Sequence, residues 1–122
     1  MRLRKGNQVG ALGLKFGRPA KGERFYTFAV SANGSYRLAK RNESWSYPID
    51  WTSDPMVKQG YGAANRLTVE IRGRTIECYV NGKYVGSYED TSEVRGNLGL
   101  YLDMKGMEAV FSDLRVVELA PR

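Results

Sequence analysis

Apolar and polar residues alternate with period two along most of this chain. In Leu67-Thr68-Val69-Glu70-Ile71-Arg72 every second position is apolar, so a strand here turns Leu67, Val69 and Ile71 to a core and the others to water. After Gly73-Arg74 the pattern resumes, with Ile76, Cys78 and Val80 set against Thr75, Glu77 and Tyr79. Asn81-Gly82 comes next. A type I′ turn needs positive φ at both central positions, which this pair tolerates, so Lys83 to Glu89 is expected to run back antiparallel. Upstream, Phe25 to Val30 and Ser35 to Lys40 flank the turn signal Ser31-Ala32-Asn33-Gly34 and predict a second hairpin. Asn97 to Asp103 alternates again, and Ala109 to Val117 does so less regularly. No stretch of comparable length has helical spacing, so the chain is expected to be all-β.

Composition narrows the function classes. The 122 residues predict one domain over 1–122, either whole or a module of a longer polypeptide. At 42% hydrophobic and 26% charged, the chain has the make-up of an ordinary soluble domain, with neither disorder nor membrane insertion expected. There is no histidine, which removes His metal ligands, His-activated nucleophiles and a His general acid. The single cysteine, Cys78, has no partner for an intrachain disulfide and is expected as a small buried hydrophobe. The basic start Met1-Arg2-Leu3-Arg4-Lys5 lacks a following apolar segment, so no signal peptide is expected. The location stays open between the cytosol and, if a secreted parent carries this module, an extracytoplasmic site. The net charge of +6 permits anionic partners, but its cations are spread along the chain without a nucleic-acid motif, and nucleic acid is not the expected partner.

Residues 41–64 are the longest segment without clear alternation, and they hold Trp45, Tyr47, Trp51 and Tyr61 with Pro48 and Pro55. Two accounts stay open for these rings. They cover an open end of a β-sandwich, or one or two of them form a stacking platform for a planar or sugar ligand.

The run Asn65-Arg66-Leu67-Thr68-Val69-Glu70-Ile71-Arg72, then Tyr79-Val80-Asn81-Gly82-Lys83, Asp90 and Gly96-Asn97-Leu98-Gly99-Leu100-Tyr101, resembles the concanavalin A-like lectin/glucanase superfamily. It is most similar to bacterial laminin-G-like modules related to 3-keto-disaccharide hydrolases. The upstream hairpin through Gly34-Ser35-Tyr36-Arg37-Leu38 and the closing Val110 to Val116 fit the same pattern, so the resemblance spans roughly residues 10 to 119. It implies a jelly-roll β-sandwich of two antiparallel sheets. Two departures stand out. Only Met1 to Val9 precede the first matched segment, where relatives carry further strands, so an exposed edge strand is expected. The Glu-x-Asp-x-x-Glu carboxylate pattern of the superfamily's glucanases is missing, and no enzyme is expected.

Such a sandwich would bury Tyr36, Leu38, Leu67, Val69, Ile71, Ile76, Cys78, Leu98, Leu100 and Leu102 between its sheets. Arg37, Glu70, Arg72, Tyr79, Tyr101 and Asp103 would then face outward, where some of them share a concave surface with Trp45 and Trp51. On that surface arginines donate to hydroxyls or carboxylates, Glu70 and Asp103 accept, and tyrosines stack. The acidic run Glu89-Asp90-Thr91-Ser92-Glu93 reads as a solvated turn, with Glu89 and Asp90 as weak calcium candidates. The expected function is a non-catalytic, lectin-like carbohydrate-binding module. The alternatives are a structural or protein-interaction module that self-associates through an exposed edge, and a hydrolase-related domain acting on glycosides or keto-sugars.

Overall fold

The computed structural model describes residues 1–6, 10–18, 24–90, 94, 97–102 and 106–110. Among them are ten strands: β1 (Arg2–Lys5), β2 (Leu12–Arg18), β3 (Phe25–Ser31), β4 (Ser35–Asn42), β5 (Ser44–Ser53), β6 (Leu67–Arg72), β7 (Thr75–Val80), β8 (Lys83–Glu89), β9 (Asn97–Leu102) and β10 (Glu108–Val110). The described residues contain no helix, and so none long and apolar enough to cross a membrane. Two antiparallel sheets form a jelly-roll sandwich, one ordered β5-β4-β3-β2-β9 and the other β6-β7-β8, while β1 pairs with β10 as a separate ribbon.

The core sits where the apolar faces of the two sheets meet. Leu12, Phe16, Tyr26, Phe28, Val30, Tyr36 and Leu38 come from the larger sheet, and Ile76, Cys78 and Val80 from the smaller. Leu67, Val69 and Ile71 pack against this cluster as the alternation requires. Each fully buried aliphatic or Phe side chain contributes about 1.5–3 kcal/mol, so these positions dominate stability. Strand β2 comes so close to β3 that a Cβ on Gly13 would stand 2.1 Å from the Phe28 carbonyl oxygen, so no larger residue fits there.

Three expectations need correction. The segment 41–64, which lacks clear alternation, holds the ten-residue edge strand β5. Two register shifts against β4, flanking Leu38, and the proline at position 48 break the period-two pattern that would have revealed it. The nine N-terminal residues do supply a strand, β1, whose Leu3 is buried in the core. Finally, Leu100 and Leu102 pair with Leu14 and Leu12 and share their register face, yet they remain 48% and 38% exposed. Three strands cannot cover the full width of five at roughly 4.8 Å per strand, so an edge strand such as β9 overhangs.

The Asn81-Gly82 hairpin is present, with φ of 51° and 83° at its two central residues. The Asn81 side chain does more than tolerate the turn. Its Oδ1 accepts from the Arg66 N–H (2.8 Å), while its Nδ2 donates to the Met56 carbonyl (2.9 Å) and to Asn65 Oδ1 (3.0 Å). Buried Asn65 in turn accepts from the Lys58 N–H (2.9 Å) and donates to the Lys58 carbonyl (3.0 Å). Two asparagines thus satisfy the backbone of the loop leading into β6. Asn81→Ala removes three hydrogen bonds and leaves a Cβ-bearing residue without local support at positive φ; urea denaturation is expected to show a loss of about 2–4 kcal/mol. An unchanged midpoint would contradict this role.

Candidate functional site

Register decides which side chains share a face. Across the larger sheet Tyr101, Gly13, Ala29 and Arg37 lie in one row, and Gly99, Lys15, Thr27 and Ala39 in the next. Phe25, Arg41 and Trp45 make a third row. All of these alternate with the core positions, so they belong to the outer face. Trp51 and Tyr47 join them from β5, packed against Arg37.

The middle of this face is built of small residues, and Thr27, Ala29 and Ala39 are buried although they point away from the core. The accessible part therefore lies along β5. There Trp45, Tyr47 and Trp51 are 37%, 45% and 36% exposed, large values for aromatic rings on a sheet. Their exposed faces are organised by cations. The Arg37 guanidinium carbon stands 4.5 Å from the Trp51 ring centroid and 5.1 Å from that of Tyr47. Arg41 lies 5.7 Å from the Trp45 centroid. At one end Lys15 sits 4.1 Å from the Phe25 ring, which meets Trp45 edge-on at 5.6 Å. Such contacts hold long side chains in place at about 0.5–1 kcal/mol each when exposed.

Arg37 makes no hydrogen bond to any described residue, and its Nε is shut off from solvent. Its terminal N–H groups are left to donate beside two open rings. The arrangement is a flat apolar strip with fixed donors at its margin, suited to a molecule with a planar or ring-shaped apolar face and oxygen acceptors on its rim.

The other predicted residues fall elsewhere. Glu70, Arg72 and Tyr79 lie on the outer face of the smaller sheet, on the opposite side of the sandwich from Arg37, Trp45 and Trp51. Glu70 and Glu77 are direct cross-strand neighbours, an unfavourable like-charge pair that Arg72 offsets from 3.7 and 3.8 Å. The Tyr79 hydroxyl donates toward both carboxylates at 3.4 and 3.3 Å. Partial burial and these two negative charges hold its ionisation above the ordinary tyrosine range. One guanidinium is thus shared between two carboxylates in this cluster. Tyr101 is on the same face as Arg37, but three strands away, across Ala29 and Gly13. Asp103 lies outside the described residues, as do Thr91, Ser92 and Glu93.

The acidic turn is also not what the sequence suggests. Asp90 is buried, accepts a hydrogen bond from the Tyr26 hydroxyl and pairs with Lys40 at 3.1 Å. Glu89 pairs with Arg74 at 3.3 Å on the surface. Among the described residues no group of three or more His, Cys, Asp or Glu is placed to hold a metal ion.

Sequence reasoning overlooked Tyr47 and Arg41, although the signal was available. Tyr47 is two residues from Trp45, and Arg41 four from Arg37, spacings that keep each pair on one face of a strand. Of the aromatic residues in 41–64, Tyr61 fits the covering role instead: its hydroxyl donates to the Gly6 carbonyl at 2.5 Å, away from the strip.

Among solved structures, the chain is similar to the carbohydrate-binding module CBM66 from Bacillus subtilis, with a TM-score of 0.67 and 20% sequence identity. The match covers 87% of this chain and 64% of that one, so this chain spans less than two thirds of that structure. At this identity the likeness is one of fold. No protein-family model matches the sequence, and no curated protein does.

Proposed function

We propose that this chain is a non-catalytic carbohydrate-binding module of the concanavalin A-like kind, and that its ligand lies along β5 on the outer face of the larger sheet. One observation carries the reading: three neighbouring aromatic rings stay exposed on a single strand, two of them flanking a guanidinium that has no hydrogen-bond partner among the described residues. A solvated structural strand gains nothing from displaying such rings, whereas a pyranose or furanose ring stacks its C–H face on them while Arg37 donates to its oxygens. The shared fold with a carbohydrate-binding module supports the same reading.

A glycan-array screen of the whole chain tests it. Binding to at least one glycan class is expected, and Trp45→Ala/Trp51→Ala is expected to weaken it at least tenfold while far-UV circular dichroism stays unchanged. An array without any binder, or affinity untouched by the double substitution, rejects the proposal.

The exposure of Leu100 and Leu102 on β9 favours a second reading, protein contact along that edge. Light scattering that gives a monomer at every concentration would reject self-association there.

A further inference from the structure

We propose that the ligand of the β4–β5 face is an acidic oligosaccharide bearing carboxylates on several of its units. This rests on the carbohydrate-binding reading and narrows it.

The outward positions of β2, β3 and β4 carry three cations, Lys15, Arg37 and Arg41, and no carboxylate. Two acidic residues are close in the chain, Glu43 in the β4–β5 turn and Asp50 in β5. Neither forms an ion pair with Arg37 or Arg41 among the described residues. Asp50 instead uses its Oδ1 to accept the Trp51 N–H at 2.7 Å.

Four cations elsewhere have carboxylate partners, although Arg2, Lys5, Lys58 and Arg66 form no ion pair among the described residues. Lys40 is paired with Asp90, Arg72 with Glu70 and Glu77, Arg74 with Glu89, and Lys83 with Asp54. On the β4–β5 face Lys15, Arg37 and Arg41 are instead turned onto rings, with no carboxylate partner among the described residues. A guanidinium offers its N–H groups in a planar fork that fits a carboxylate with two parallel hydrogen bonds. Stacked on Trp51 and Tyr47, the Arg37 fork is already held in place, so binding costs little side-chain entropy. Arg37 and Arg41 are four residues apart on one strand, roughly 13 Å at 3.3 Å per residue. A single acidic sugar cannot reach both; a chain with repeated carboxylates can.

Calorimetry on the full chain tests this. The probes are polygalacturonate, alginate and hyaluronate as acidic polymers, dextran and galactan as uncharged ones, galacturonate monomer, and double-stranded DNA. At least one acidic polymer is expected to bind more tightly than either uncharged polymer and at least tenfold more tightly than the monomer. Its affinity should fall as salt is raised from 20 to 300 mM, screening acting on exposed charges. Arg37→Gln and Arg41→Gln, each checked for an unchanged denaturation midpoint, are each expected to weaken binding at least fivefold, and Trp51→Ala likewise. If dextran or galactan binds as well as the acidic polymers and both arginine variants bind normally, the acidic-ligand inference falls while carbohydrate binding stands. DNA bound as tightly as any glycan, with Trp51→Ala neutral, would reveal a generic cationic patch and overturn the inference. No binding to any polysaccharide overturns it together with the reading beneath it.

Discussion

Asp90→Ala is expected to cost the fold about 3–5 kcal/mol, the range seen when one partner of a buried ion pair is removed. The carboxylate lies just beyond the end of β8 and reaches two side chains of the other sheet. The Tyr26 hydroxyl of β3 donates to one of its oxygens, and Lys40 of β4 pairs with the other. Its own backbone N–H donates to the Arg74 carbonyl at 2.8 Å. The Lys40 ammonium further lies 5.7 Å from the Tyr26 ring centroid and 5.6 Å from that of Tyr88. With Asp90 gone, a largely buried ammonium and a buried hydroxyl lose their partner at once. Burial, and then the hydrogen bond and charge of Asp90, raise Tyr26 far above its ordinary ionisation range, so the phenol stays neutral and keeps donating. Adding Lys40→Met to Asp90→Ala is expected to recover part of the loss, because no unpaired charge then remains in the interior. Chemical denaturation of the three proteins measures both effects. Equal stability of Asp90→Ala and the parent would mean that the pair does not join the sheets.

Alkaline pH is expected to destabilise the protein through Cys78. The thiol is buried among apolar side chains of both sheets, and burial pushes it up from 9.0 to about 12. The folded state therefore holds the proton where the unfolded chain releases it. Stability from this group is complete below pH 9 and declines as pH rises toward 12. At ~1.4 kcal/mol for each pH interval over which only the unfolded state is ionised, the loss approaches about 4 kcal/mol by pH 12. Cys78→Ala lacks the titrating group, so its stability should fall less steeply between pH 9 and 12, although it begins lower at pH 7 for want of the sulfur's packing. Parallel slopes for the two proteins would show that the thiol ionises in place.

The sequence made some of this legible and hid the rest for identifiable reasons. Strands β6, β7 and β8 follow from strict alternation and from Asn81-Gly82, because a half-buried strand and a type I′ turn each leave a local mark. Strand β5 left none: Pro48 and two bulges interrupt its alternation, and the aromatic residues look like those of a loop. Asp90 misled because neighbouring acidic residues usually mean solvent, and its partners Tyr26 and Lys40 lie 64 and 50 residues away. Leu100 and Leu102 alternate correctly, but no local pattern shows that their strand is an edge beyond the reach of the smaller sheet. The candidate site was half legible for a related reason. Alternation shows that Arg37 and Arg72 both face outward, but not that they belong to different sheets and so to opposite sides of the sandwich. That fact divides Arg37, Trp45 and Trp51 from Glu70, Arg72 and Tyr79. What unites the first group is pairing across strands and stacking of side chains, information that resides in the register.

The most direct test of the ligand face is an NMR titration of the isotope-labelled chain with oligogalacturonate, or with whichever glycan the array screen returns. The Trp45 and Trp51 indole N–H signals and the Arg37 to Arg41 amides are predicted to move with a common affinity, while Glu70, Arg72 and Tyr79 stay still. Shifts confined to Glu70, Arg72 and Tyr79, with both indoles unmoved, would place the ligand on the smaller sheet and contradict the account.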